Sequence, residues 1–203
     1  MQPNILLQGA PSTVEVDGAP VPINCDWRTG IRAMQAMDDP RLGRNDKARV
    51  IIALYYGRWD KGIFMVPEAA RTAAAMESAV RFFALCEPRK PEGAPGSRAA
   101  SRARLWDWDF DAPRVIADFQ REYGIDLTEP KLDMHWWRFW SLFRELSDTS
   151  KTMQAIGIRG ARPSRNMGEN EKKQLLERQR ELALPARTED EALKLTNMIW
   201  EIA

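Results

Sequence analysis

Apolar residues recur at helical spacing along most of this chain, and near the start they alternate with polar ones instead. From Thr13 to Asn24, TVEVDGAPVPIN alternates on both sides of Asp17-Gly18, which predicts a two-stranded hairpin. Pro20 and Pro22 hold its second strand at an edge, and so small a hairpin needs a support, which the following helices supply. Asp26 is placed to cap a helix with Ile31, Met34 and Met37 at core spacing, and Asn45 to cap another carrying Val50, Ile51, Leu54 and Tyr55. Pro67 suits a first helical turn. The alanine-rich run after it sets Ala73, Met76, Val80 and Phe83 at helical spacing, where two helices can approach closely.

The periodicity stops between Glu87 and Arg104, a stretch of proline, glycine, serine, alanine and charge that reads as a flexible basic loop. Beyond it, LWDWDFD leads into a helix capped by Asp111, with Pro113 in its first turn, Val115, Ile116 and Phe119 inside, and an end near Gly124. The run KLDMHWWRFWSLFREL, Lys131 to Leu146, then reads as one helix. With about 100° of rotation per residue, Leu132, Trp136, Phe139, Leu142, Phe143 and Leu146 share one face. Trp137 falls nearly opposite, beside Met134, Ser141 and Arg144, so this helix should have two neighbours. Two readings stand for Trp137: a second layer of the same domain covers it, or a partner protein does. His135, at the edge of the apolar face, reads as a hydrogen-bonded core residue.

Asp148-Thr149-Ser150 supplies the next cap, for a short helix bearing Met153 and Ile156, and Arg159 to Asn166 is irregular. The helix from Glu169 to Leu184 surrounds a narrow strip of Leu175, Leu176 and Leu182 with charge, as a peripheral arm would. A last amphipathic helix, opened by Thr188, carries Leu195, Ile199 and Ile202. The expected fold is mainly α, with a small N-terminal β-hairpin packed on a multi-helix bundle. As one compact domain it divides into the hairpin and N-terminal helices (1–86), the basic loop (87–104), an aromatic helical half (105–160) and charged C-terminal helices (161–203).

Charge changes this picture little: 30 basic residues stand against 29 acidic ones, so no global field draws the chain to nucleic acid or an anionic membrane. No apolar run reaches the ~18 residues of a membrane span, and the first residues lack the pattern of a signal peptide, so a cytoplasmic protein is expected. Cys25 and Cys86 stand apart from each other and from the single histidine. Neither a disulfide framework nor a zinc site is indicated, and both read as small buried hydrophobes.

Candidate chemistry is sparse. In an extended segment Asp107, Asp109 and Asp111 would share a face suited to a divalent cation. A region before a helix explains them more simply, because capping and the helix dipole both favour aspartate there. No nucleophile elbow or glycine-rich phosphate loop occurs, and one histidine cannot serve a site that needs two. Catalytic residues, cofactors and metals are therefore not expected. The alternative function is single-stranded nucleic-acid binding, since Arg89, Lys90, Arg98, Arg102 and Arg104 outnumber Glu87 and Glu92 and are followed by Trp106 and Trp108. The interleaved aspartates would repel phosphates, which favours a solvated loop.

Four of these segments, taken in order, resemble the bacteriophage gene-product-fifteen family of long-tailed phages and prophages. They are TVEVDGAPVPINCDWRTGIRAMQAM, then WDWDFDAPRVIADFQREYGIDL after the basic loop, then LDMHWWRFWSLFREL, then MQAIGIRG. The resemblance covers Thr13 to Pro185. It implies a non-enzymatic tail assembly chaperone that transiently covers apolar helix faces of the tape-measure protein. The expected partners are that protein, a second tail assembly chaperone or another copy of the chain. The expected partner surface is the outer side of the aromatic helix, with Met134, Trp137, Trp140 and Arg144. The charged C-terminal helix is a second candidate.

Overall fold

The computed structural model describes residues 5–84, 104–164, 166–189 and 191. In chain order the elements are α1 (Ile5–Gln8), β1 (Thr13–Val16), β2 (Ala19–Pro22), α2 (Trp27–Asp38), α3 (Arg44–Tyr56), β3 (Arg58–Asp60), β4 (Ile63–Met65), α4 (Ala73–Ala84), α5 (Ala112–Tyr123), α6 (Trp136–Arg144), α7 (Lys151–Gly160) and α8 (Glu169–Glu181). The fold is mainly α, with two small antiparallel hairpins. The contacts form two compact units, one within residues 1–94 together with Asp133–Arg144, the other within residues 95–132 and 145–203. This grouping places α6 with the N-terminal elements, whereas the division expected from sequence places it in the aromatic half.

In the first unit, β1 and β2 form the expected hairpin, with Val16 opposite Ala19 across Asp17 (φ 50°) and Gly18 (φ 81°). That left-handed pair is what a two-residue turn matched to strand twist requires. Val16 and Val21 are buried, and β1 lies on α4. Asn24 then locks the hairpin to the end of α3, its Nδ2 donating to the carbonyls of Leu54 (2.8 Å) and Gly57 (2.6 Å). Asp26 caps α2 as expected, accepting from Arg28 N at 2.8 Å.

The buried face of α2 is displaced from the expected one. Trp27, Gly30, Ala33 and Ala36 are buried, Ile31 and Met34 are only half-buried, and Met37 is exposed. The reason lies in the neighbouring α6, whose rings need a small-residue face opposite them. A Cβ on Gly30 would sit 2.0 Å from Trp136 Cε3, so glycine is there to admit a ring rather than to bend the backbone. The same displacement occurs in α4, where Ala75, Ala79 and Phe82 are buried while Val80 is exposed. Here the determinant is α3, whose Tyr56 hydroxyl donates to the Ala75 carbonyl at 3.0 Å and whose Tyr55 ring lies 4.9 Å from Phe82. Alanine-rich faces are thus matched to aromatic ones, which keeps the interior filled at normal density.

Two helix starts also differ from expectation. Gly43, not Asn45, is the cap residue of α3, and Pro67 precedes a short 3-10 turn (Glu68–Arg71) while Thr72 Oγ1 accepts from Ala75 N at the head of α4. The β3–β4 hairpin was not anticipated. Its three-residue strands are too short to show alternation, and its turn, Lys61 (φ 47°) and Gly62 (φ 81°), lacks the usual Asn-Gly or Asp-Gly pair.

In the second unit, Gly124 (φ 65°) ends α5 in the left-handed conformation expected of it. Ser150 caps α7 through its hydroxyl, which accepts from Met153 N at 3.1 Å. Beneath that cap sits Asp118, fully buried, accepting from Thr152 N (2.7 Å) and Lys151 N (3.2 Å) and paired with Arg121. Burial pushes its carboxyl pKa up, but hydrogen bonding from Thr152, Lys151 and Arg121 outweighs that and holds it below the usual carboxylate range. The charged α8 buries no residue of its own. It is fastened near its end to α7, with Gln179 Nε2 donating to the carbonyls of Ile158 (2.9 Å) and Ala161 (2.8 Å). Thr188 Oγ1 accepts from Glu191 N at 3.2 Å, as a cap would, while Leu195, Ile199 and Ile202 lie outside the described residues.

Candidate functional site

The aromatic segment starts its helix later than the sequence suggests: α6 begins at Trp136, and Lys131 to His135 approach it as non-helical chain. Asp26 and His135 form an antiparallel bridge that sets the heads of α2 and α6 side by side. Within it Trp27 N donates to the Met134 carbonyl (3.0 Å) and Trp136 N to the Cys25 carbonyl (2.6 Å). Cys25 itself is half-buried, and Cys86 lies outside the described residues.

His135 caps α6. Its Nδ1 accepts from Trp137 N at 3.0 Å and its Nε2 lies 3.0 Å from the Pro11 carbonyl, an arrangement that fits the neutral ring with its proton on Nε2. Burial lowers its pKa from the ordinary 6.5, against a smaller raising effect of Pro11. The unfolded chain therefore takes up this proton first, and stability should be whole above pH 6.5 and fall as the pH drops through that value. Because the chain has one histidine, the thermal midpoint should hold from about pH 7.5 to about pH 6.5 and decline from there to about pH 5.5, and His135→Asn should flatten that decline. A wild-type midpoint that stays level across this interval would contradict the cap assignment.

The expected partner surface on this helix is corrected by the structure. Met134 (2 % exposed), Trp137 (4 %) and Trp140 (6 %) are all buried, and only Arg144 is exposed. Trp137 stacks on Phe82 with ring centroids 5.2 Å apart, and its Nε1 donates to the Phe82 carbonyl at 3.0 Å. Trp140 stacks between Trp136 and Phe143 at 5.2 and 5.6 Å. The second neighbour that the pattern demanded is thus α4 of the same chain. Tryptophan on the far face of a helix signals a second contact, and sequence alone does not say with what.

The aspartates before α5 are likewise committed. Asp107 accepts from Asp109 N and Phe110 N, both at 2.9 Å, and pairs with Arg104 and Arg187. Asp111, which the sequence casts as a side-chain cap, makes no capping bond. It instead takes a two-pronged pair from Arg159, Nη1 to Oδ2 at 2.6 Å and Nη2 to Oδ1 at 2.9 Å, with Arg114 at 2.7 Å. The Arg159 side chain is 5 % exposed and donates further to the Leu105 and Leu182 carbonyls. Asp109 is exposed, and no group of three carboxylate, histidine or cysteine side chains that could hold a metal occurs among the described residues. Burial raises the Asp107 pKa, while the Phe110 and Asp109 hydrogen bonds and Arg187 lower it, with a net shift downward.

These contacts also weaken the nucleic-acid alternative. Arg104 is committed to Asp107 and to the Pro185 carbonyl, and Trp108 is buried edge-on to Trp106. Arg89, Lys90, Arg98 and Arg102 lie outside the described residues.

One apolar surface was missed. The β3–β4 hairpin leaves Trp59 72 %, Ile63 65 %, Phe64 46 % and Met65 50 % exposed. Trp59 and Phe64 face each other across the strands, ring centroids 5.6 Å apart, and the Phe64 ring crosses so close to Gly57 that a Cβ there would lie 2.3 Å from its Cζ. The sequence signal was RWDKGIFM, aromatic and aliphatic residues on both sides of a glycine turn, with too few residues to reveal a period. Among the described residues no helix is long and apolar enough to cross a membrane.

The family model described as Bacteriophage Gp15 protein matches residues 7–184. No curated protein and no solved structure matches the chain. Residues within the matched range have structural duties: the Asp17-Gly18 turn, the His135 cap, the Gly124 helix end and the union of the WDWDFD and IGIRG segments through Asp111 and Arg159.

Proposed function

Since the chain belongs to the bacteriophage Gp15 family, we propose that it is a tail assembly chaperone, a non-enzymatic protein that binds the tape-measure protein transiently in the host cytoplasm. The observation that carries this reading is the β3–β4 hairpin, where Trp59, Ile63, Phe64 and Met65 stand together in solvent. Clustered exposed aromatics and methionine characterise protein-binding surfaces, because they remove much area from water and tolerate variation in the guest. A long helical chain offers what such a surface accepts, an apolar stripe at i, i+3 and i+4 spacing. The partner surface is therefore assigned to this hairpin and not to Trp137.

The test is co-expression with the tape-measure protein of the same phage or prophage. The wild type should keep that product soluble and elute with it, whereas Trp59→Ser with Phe64→Ser should lose it while retaining helical content and thermal midpoint. Co-elution unaffected by the double substitution would remove the hairpin from the mechanism. Failure of the wild type to bind would remove the chaperone reading itself.

A further inference from the structure

The same hairpin has a free edge with a charge pattern suited to one particular occupant. Asp60 and Ile63 flank the two-residue turn, and Trp59 faces Phe64. Hydrogen bonding alternates along an antiparallel pair, so the residue next after the turn-closing pair directs its N–H and C=O away from its partner strand. The Trp59 backbone therefore points outward from β3, and no other described strand covers that edge. On either side of it stand Arg58 and Asp60, both exposed and neither side chain ion-paired among the described residues.

The sequence Arg58-Trp59-Asp60 is complementary to itself when reversed. We propose that β3 pairs antiparallel with β3 of a second copy of this chain, about a two-fold axis at Trp59. The two Trp59 residues then exchange both backbone hydrogen bonds, and each Arg58 lies directly opposite the other copy's Asp60, with two such pairs per dimer. The product is a four-stranded sheet that lines up Phe64, Trp59 and their counterparts from the second copy. That row spans about 14 Å at the usual strand spacing, comparable to the width of one helix. Pairing through β4 would set Ile63 against Met65 and leave both charges unused, so the β3 edge is the one with a reason to be chosen. The inference does not depend on the chaperone reading.

Sedimentation equilibrium of the full chain tests it through charge reversal. The wild type should dimerise in a concentration-dependent way. Arg58→Asp and Asp60→Arg, each of which sets like charges opposite each other twice, should each raise the dimer dissociation constant at least about tenfold. Mixing those two variants should restore a dimer, as should the double swap in a single chain, since both recreate opposite-charge pairs. Circular dichroism confirms that these exposed substitutions leave the fold unchanged. A wild type that remains monomeric, or a dimer indifferent to the single reversals, or single reversals not rescued by mixing, would each overturn the proposal.

Discussion

Trp137→Ala is expected to destabilise the protein by about 3–5 kcal/mol, the range for truncating a buried tryptophan. The ring is 4 % exposed, stacks on Phe82 and anchors α6 to α4 through its Nε1 bond to the Phe82 carbonyl. Removing it leaves both a cavity against Phe82 and a carbonyl without its donor. Trp137→Phe should cost less, because it retains a ring against Phe82 and gives up the hydrogen bond, whose net worth is about 1 kcal/mol, together with only part of the indole volume. Urea titration followed by fluorescence measures both. A loss below about 1 kcal/mol for the alanine variant would mean that the indole contributes little to folding, returning Trp137 to the candidate partner residues.

Asp111→Ala should cost the second unit a similar amount for a different reason. The substitution leaves the Arg159 guanidinium, on a side chain only 5 % exposed, without the carboxylate that holds it at two points. Removing one member of a buried pair costs about 3–5 kcal/mol, since the remaining charge stays desolvated without compensation. Arg159→Met combined with Asp111→Leu removes both charges and should recover most of that loss. Thermal or urea unfolding of the single and double variants checks the coupling, and purely additive losses would show that the two residues do not act as a pair. The same measurement asks whether the WDWDFD and IGIRG segments act as one structural joint.

Both predictions rest on contacts between segments distant in sequence, and they mark where reading the chain as a string stops being sufficient. Local chemistry was legible. Asp17-Gly18 specified a turn that needs left-handed backbone, Asp26 and Ser150 specified caps, and Gly124 specified a helix end, because each acts on neighbours within a few residues. The mainly helical class followed from spacing alone, and the order of four motifs pointed to the family. Tertiary structure decided the rest. It chose which face of α2 and α4 turns inward, since alanine and glycine beside large apolar residues form two plausible stripes and only the rings opposite select one.

Tertiary structure also decided what covers Trp137 and which cation meets Asp111. Phe82 lies 55 residues away from Trp137 and Arg159 lies 48 away from Asp111, separations over which no periodicity carries information. The consequence for function is a transfer of surface. The sequence concentrated its aromatics in α6, and folding consumed them against α2 and α4. Three-residue strands, too short to print a pattern, kept Trp59 and Phe64 in water because nothing in the described chain packs over their hairpin. Sequence determined how much apolar surface this protein has, and the packing of distant segments determined which part of it remains outside.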